Sequence, residues 1–160
     1  MQIALATPNQ YARIAATTLA AYAEFEAADE AYQRKLSDSA ARAAEAELWV
    51  ALDGGRILGS VTLCPVGSPW RQIAGEGEGE FRMLAVDPAA QGRGVGAALV
   101  GHVLDRSRAV GDRSVVLSTS TEMLTAHRMY ARLGFTRLPE RDWSPVPGVA
   151  LLVYGMGLDA

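Results

Sequence analysis

The chain has 160 residues, about half of them apolar, with 15 basic against 18 acidic side chains and a net charge of −3. That size suits one domain, residues 1–160, with its own core, and the charge balance offers no cationic footprint for nucleic acid or anionic lipid. One cysteine, Cys64, and two histidines, His102 and His127, exclude an internal disulfide and leave no Cys/His metal set. A reducing cytoplasm is the natural setting, and no leader or membrane span is expected from the sequence. Lys35 is the only lysine, so a Schiff-base or phosphate-loop lysine is hard to place.

In chain order, Ile3 to Ala6 reads as an edge strand before Thr7-Pro8-Asn9, a helix start. Residues 9–47 are alanine-rich, with helical spacing at Ile14, Leu19 and Tyr22 and again from Asp29 to Ala46, giving two helices joined near Glu24-Phe25-Glu26. Leu48–Leu52 and Arg56–Cys64 flank Asp53-Gly54-Gly55, a hairpin signal because glycine supplies the positive φ such turns need. Pro65 to Gly79 is a loop and Glu80 to Val86 a strand closed by Asp87-Pro88. Gly94 to Val110 carries the stripe of an amphipathic helix, and Ser114 to Leu117 is a short strand. Thr119-Ser120-Thr121-Glu122 resembles a capping box opening a helix that ends at Gly134. Strands near Phe135–Leu138 and Val149–Leu158 follow, separated by a loop from Pro139 to Gly148. The order β-α-α-β-β-β-α-β-α-β-β predicts an α/β domain with a mixed sheet flanked by helices.

The chemistry lies after Leu84-Ala85-Val86-Asp87-Pro88, where Gln91-Gly92-Arg93-Gly94-Val95-Gly96-Ala97 leads a strand straight into a helix. Alternate glycines remove the β-carbons that would hold an anion away. The first-turn N–H groups and the helix dipole then favour negative charge, and Gln91 and Arg93 add donors beside them. This is a diphosphate cradle. A Walker loop is excluded because the chain has no Gly-Lys pair. A Rossmann fingerprint fits poorly: Asp112 precedes its strand, and too little chain remains after Gly96 for the rest of such a domain.

The pattern Gln91-x-x-Gly94-x-Gly96 resembles the acetyl-CoA motif of the GNAT family of N-acetyltransferases. Ala126-x-x-x-Tyr130-x-x-x-Gly134-Phe135 resembles the same family's downstream helix and strand. The resemblance implies a single GNAT-like domain whose central strands splay apart. Leu84, Ala85 and Val86 would then bond pantetheine through their backbone, Gln91 to Ala97 would hold the pyrophosphate, and Tyr130 would protonate the leaving sulfur. It implies acetyl-CoA as cosubstrate, a small-molecule or peptide amine as acceptor, and a homodimer. Two positions depart from the family: Met123 replaces a frequent Asn, and Ser118 stands where some branches carry a basic Glu.

Because an amine is protonated at neutral pH, it needs a base before it can attack a thioester. Glu80 matches the base position of another branch, and strict alternation would put it on one strand face with Arg82, Leu84 and Val86. Glu78 is a second candidate. Tyr22, Glu24, Phe25, Glu26, Asp29, Glu30 and Tyr32 form an acidic, aromatic patch suited to a cationic amine. The loop around Trp143 is a candidate lid or dimer contact. His102 and His127 read as solvent-facing and Cys64 as core. The rival reading is an acyl-CoA-binding or sensing module without turnover.

Overall fold

The apolar runs and glycine turns resolve into one seven-stranded sheet flanked by helices in the computed structural model, which describes residues 1–25 and 30–159. In chain order these are β1 (Gln2–Leu5), α1 (Tyr11–Tyr22), α2 (Glu30–Ser37), α3 (Ser39–Glu45), β2 (Glu47–Asp53) and β3 (Arg56–Leu63). There follow β4 (Glu78–Val86), α4 (Val95–Ala109), β5 (Ser114–Ser120), α5 (Leu124–Leu133), β6 (Thr136–Arg137) and β7 (Leu151–Gly157). The spatial order is β1-β2-β3-β4-β5-β7-β6. Every neighbouring pair is antiparallel except β4 and β5, which α4 joins as a crossover helix. Among the described residues no helix is long and apolar enough to cross a membrane.

Both sheet faces are covered. Leu58, Val61, Leu63 and Phe81 pack with Leu99, Val100 and Val103 of α4 and with Tyr130 and Phe135, forming the larger core. Ile14 of α1 packs on Leu48, Val50 and Ile57 on the opposite face. Leu99 is fully buried, so truncating it to alanine should cost about 2–5 kcal/mol. Gly59 sets the approach of β3 to its neighbours: a Cβ there would lie 2.6 Å from the Ala85 carbonyl oxygen and 3.1 Å from Val95.

Most strand ends shift by a residue or two from the sequence reading, and three differences are larger in consequence. The second helix is two pieces, broken at Asp38, whose carboxylate accepts the Ala41 N–H and caps α3. The Thr119–Glu122 capping box does not form. Strand β5 runs on to Ser120 because its ladder with β7 continues to Ser120 opposite Leu151, and α5 starts only after Met123. Non-local pairing outweighs a local cap, and the Thr119 hydroxyl ends buried without a partner. Strand β4 begins at Glu78, two residues early, because Glu78 to Glu80 pair with Ser114 to Val116.

Candidate active site

The parallel pairing of β4 with β5 stops at Glu80 opposite Val116. Beyond that point β4 keeps β3 as its partner while its other edge carries no strand. The expected splay is therefore present. Met83 has φ +55°, the only non-glycine positive φ among the described residues, and the β3–β4 register slips there: Ser60 faces Ala85 but Thr62 faces Arg82. A left-handed methionine costs about 1–2 kcal/mol, and the bulge breaks the side-chain alternation. Leu84 and Val86 consequently pack with the Phe81 core, whereas Glu80 bonds the loop before β4. The expectation that Glu80 shares a face with Leu84 and Val86 is corrected by this bulge.

The glycine turn is bare. Gly92 (φ +80°) and Gly94 (φ +77°) hold left-handed conformations, and a Cβ on either would meet nothing within 4 Å. Gly94 caps α4 with no side-chain hydrogen bond, so the first-turn N–H groups of Val95, Gly96 and Ala97 lack the partners a helix cannot give them. Gln91 to Gly94 are exposed. Arg93 lies 3.1 Å from Asp53 in an exposed ion pair, a contact worth little and readily exchanged for a phosphate. These groups fit a diphosphate.

Two tyrosines come together where the strands part. Tyr130 of α5 is buried against Phe81, Phe135 and Tyr154, with ring centroids about 6 Å apart. Burial first, then Tyr154, raises its pKa, so the phenol stays protonated at neutral pH. Tyr22 arrives from α1 and donates its hydroxyl to the Leu84 carbonyl at 3.0 Å. Burial first, then the Tyr32 and Tyr130 hydroxyls, raises the Tyr22 pKa well above its ordinary value. The sequence placed Tyr22 in a surface patch. Only its register in α1 against β4, a tertiary fact, turns it inward.

Glu80 is fully buried. Its Oε1 accepts the N–H groups of Gln72, Ile73 and Ala74 at 2.9, 3.0 and 3.1 Å, while Oε2 has no partner. Glu78 is held by Arg141 through both oxygens at 2.9 Å, and that hydrogen-bonded pair depresses its pKa. Both Glu78 oxygens are engaged by Arg141, whereas Glu80 keeps Oε2 without a partner, and that difference separates the two candidates.

The family model for the acetyltransferase (GNAT) family matches residues 12–135. The chain belongs to the GNAT family. A mycothiol acetyltransferase from Cellulomonas flavigena is 36% identical over 141 residues, covering 75% of this chain and 39% of that protein. This chain thus spans less than half the length of the curated relatives it matches. A GNAT acetyltransferase structure from Staphylococcus aureus Mu50 superposes with TM-score 0.78 at 16% identity, covering 99% of both chains. One from Brucella melitensis, solved with acetyl-CoA, gives TM-score 0.63 at 26% identity, over 99% of this chain and 90% of that one.

Within this GNAT domain other expected positions fall differently. His102 is half-buried: its ring packs edge-on against Trp49 at 4.2 Å, its Nε2 is covered, and burial lowers its pKa. His127 lies beside Tyr154 with its Nε2 2.9 Å from the Ser120 carbonyl, a geometry in which Nε2 donates. Trp143 is half-buried and donates its indole N–H to Ser118 at 2.9 Å, so the departure at Ser118 is bridged by the loop before β7. Cys64 is core as expected, its thiol pushed up to about 12 by burial. Of the acidic patch, Glu24 and Glu30 are exposed, while Glu26 and Asp29 lie outside the described residues.

Proposed function

We propose that this chain, as one acetyltransferase domain over residues 1–160, moves the acetyl group of acetyl-CoA to an amine by direct attack in a cytoplasmic setting. The observation that carries the reading is the junction at the splay. The β4 edge is open beyond Glu80, Tyr130 is buried and its phenol stays protonated, and the N-terminus of α4 is bare; a CoA ester needs each of these, at its pantetheine, its sulfur and its diphosphate. The N–H groups of Val95, Gly96 and Ala97, with Gln91, Gly92, Arg93 and Gly94 around them, would hold the pyrophosphate. Leu84 to Val86 would pair with pantetheine along the free edge, and a backbone N–H there would bond the oxyanion.

In the reaction the amine nitrogen forms a bond to the thioester carbonyl carbon and the amine loses a proton. The C–S bond then breaks and the sulfur leaves with its electron pair. Tyr130 supplies the proton that the sulfur takes. Glu80 is the base in this reading, through Oε2, since Oε1 is saturated by three N–H donors. A mobile water carries the proton to that buried oxygen. Tyr130 is buried, and its ring contacts are aromatic: Phe81, Phe135 and Tyr154.

The test is thiol release from acetyl-CoA across amines, amino acids, polyamines and short peptides, with calorimetric CoA binding alongside. Release that depends on one amine class supports the reading. CoA binding with no acceptor-dependent release supports the sensing module, and absence of CoA binding removes both.

A further inference from the structure

Three arginines, Arg42, Arg71 and Arg82, lie near Glu80 around Cys64. Arg42 of α3 is fully buried, its Nη1 donating to Thr62 and its Nη2 to the Leu36 carbonyl, with Nε unpartnered. Burial lowers its pKa to about 10. Arg71 donates only to carbonyls, those of Cys64, Gly75 and Glu78. Arg82 follows Glu80 by two residues and precedes the bulge, so both side chains emerge on this face. The two carboxylates of the same strand are both engaged: Glu78 by Arg141, Glu80 by the loop N–H groups. Among the described residues none of the three arginines has an ion-pair partner.

Arg82 is the one poised to meet a ligand. It is half-buried, and a single donor is in use: Nη1 bonds the Trp70 carbonyl at 3.1 Å, with the guanidinium 5.8 Å from the centroid of the Trp70 ring. Trp70 is itself fixed, its indole N–H on Glu45 at 3.0 Å. The planar fork is therefore held in orientation while its remaining N–H groups are free, the arrangement that suits bidentate carboxylate recognition. The parallel register of Glu80 with Val116 puts Ser118, and the Trp143 indole bonded to it, on the same face two residues beyond the last pairing. Tyr22 feels the charges of Arg42 and Arg82 and shares the splay with Tyr130. Arg82 thus lies against Trp70 on the sheet face that also carries Glu80.

We infer that Arg82 binds a carboxylate on the acceptor, and that the acceptor class is an amine that also carries a carboxylate, such as a free amino acid. The inference rests on the acetyl-transfer reading above. An amine without an anion would leave the free guanidinium fork without a counter-charge.

The experiment compares matched acceptors in the thiol-release assay: each amino acid, its α-amide and its decarboxylated amine. The carboxylate form should have kcat/KM about 10–100-fold higher, the span of one charge-assisted hydrogen-bonded pair. In Arg82→Gln the ratio should fall towards one through KM of the acceptor. Arg82→Lys should restore part of it, and calorimetric CoA affinity should stay unchanged in both. Amides or decarboxylated amines used as well as the acids by the unmodified protein overturn the inference without needing any variant. So does Arg82→Gln lowering all three acceptors alike, or acetyl-CoA binding with no carboxylate-bearing amine accelerating release. Failure of acetyl-CoA to bind strikes the acetyl-transfer reading itself, which separates the two failures.

Discussion

Two arrays of consecutive backbone N–H groups among the described residues differ in what they meet. At the loop before β4, three N–H groups from Gln72, Ile73 and Ala74 close on Glu80 Oε1, an anion supplied by the chain itself and fully buried. At the start of α4, the N–H groups of Val95, Gly96 and Ala97 meet no side chain, and the turn before them is exposed. The same donor chemistry serves structure in the first case and is left open for a ligand in the second. Glycine makes the difference: Gly92 and Gly94 keep the space over the second array empty, while the first is filled by a carboxylate from an adjacent strand.

The most severe break is at the open array. Gly94→Asp puts a side chain and a negative charge on a residue with φ +77°, adding roughly 1–3 kcal/mol of backbone strain to charge repulsion. CoA affinity measured by calorimetry should fall by about 100-fold or more, each tenfold being about 1.4 kcal/mol. Because the position is exposed, the circular dichroism spectrum should stay native. Undiminished affinity would mean that the glycine turn is not where the diphosphate sits.

Next comes the buried phenol of Tyr130. Tyr130→Phe removes only a hydroxyl, so the aromatic cluster with Phe81, Phe135 and Tyr154 should survive with little change in Tm. If the hydroxyl protonates the leaving sulfur, kcat should drop by about 100-fold, the lower range for a general acid, with CoA affinity unaffected. Equal turnover would leave Tyr130 a packing residue.

The closed array separates structure from catalysis at Glu80. Glu80→Ala strips the anion from three converging N–H groups, and at about 1 kcal/mol or more for each orphaned donor Tm should fall by roughly 6–12 °C. Glu80→Gln keeps an oxygen for those donors but cannot take a proton. Its Tm should stay near that of the unmodified chain, while kcat falls by about 100-fold if Oε2 is the base. A glutamine variant with full turnover would leave Glu80 as an anchor of the loop and nothing more.

How much of this was legible in the sequence follows the range of the interactions. The glycine turn and the helix it opens were readable because Gly92, Gly94 and Gly96 declare a local backbone need, and the hairpin at Gly54-Gly55 likewise. The GNAT resemblance and the α/β order rested on that local grammar too. What sequence missed depended on non-local pairing. The bulge at Met83 carries no local signal, since methionine is a poor choice for a positive φ, yet it decides which side chains face the splay. Tyr22 turned inward and His102 packed on Trp49 because α1 and α4 dock on particular strands, which no spacing rule could supply. The capping box at Thr119 was a valid local pattern that lost to seven residues of ladder with β7.

The smallest effect concerns the ion pair that braces the closed array from outside. Arg141 bonds both Glu78 oxygens and the Ile73 carbonyl, tying the loop after β6 to the loop that wraps Glu80. Hydrogen bonding to Arg141, the largest cause, lowers the Glu78 pKa. A carboxyl with a depressed folded pKa contributes stability that is fully present above its unfolded value, near 4.3, and is lost as pH falls through the folded value. Glu78→Gln should therefore lower Tm by only a few degrees at pH 7. The gap from the unmodified chain should close on acidification below pH ~4, as the native carboxyl takes up its proton. Thermal melts of the two proteins from pH 7 to pH 3 measure this directly. A gap that persisted at the acid end would show that Glu78 acts through its shape, and that the brace is not electrostatic.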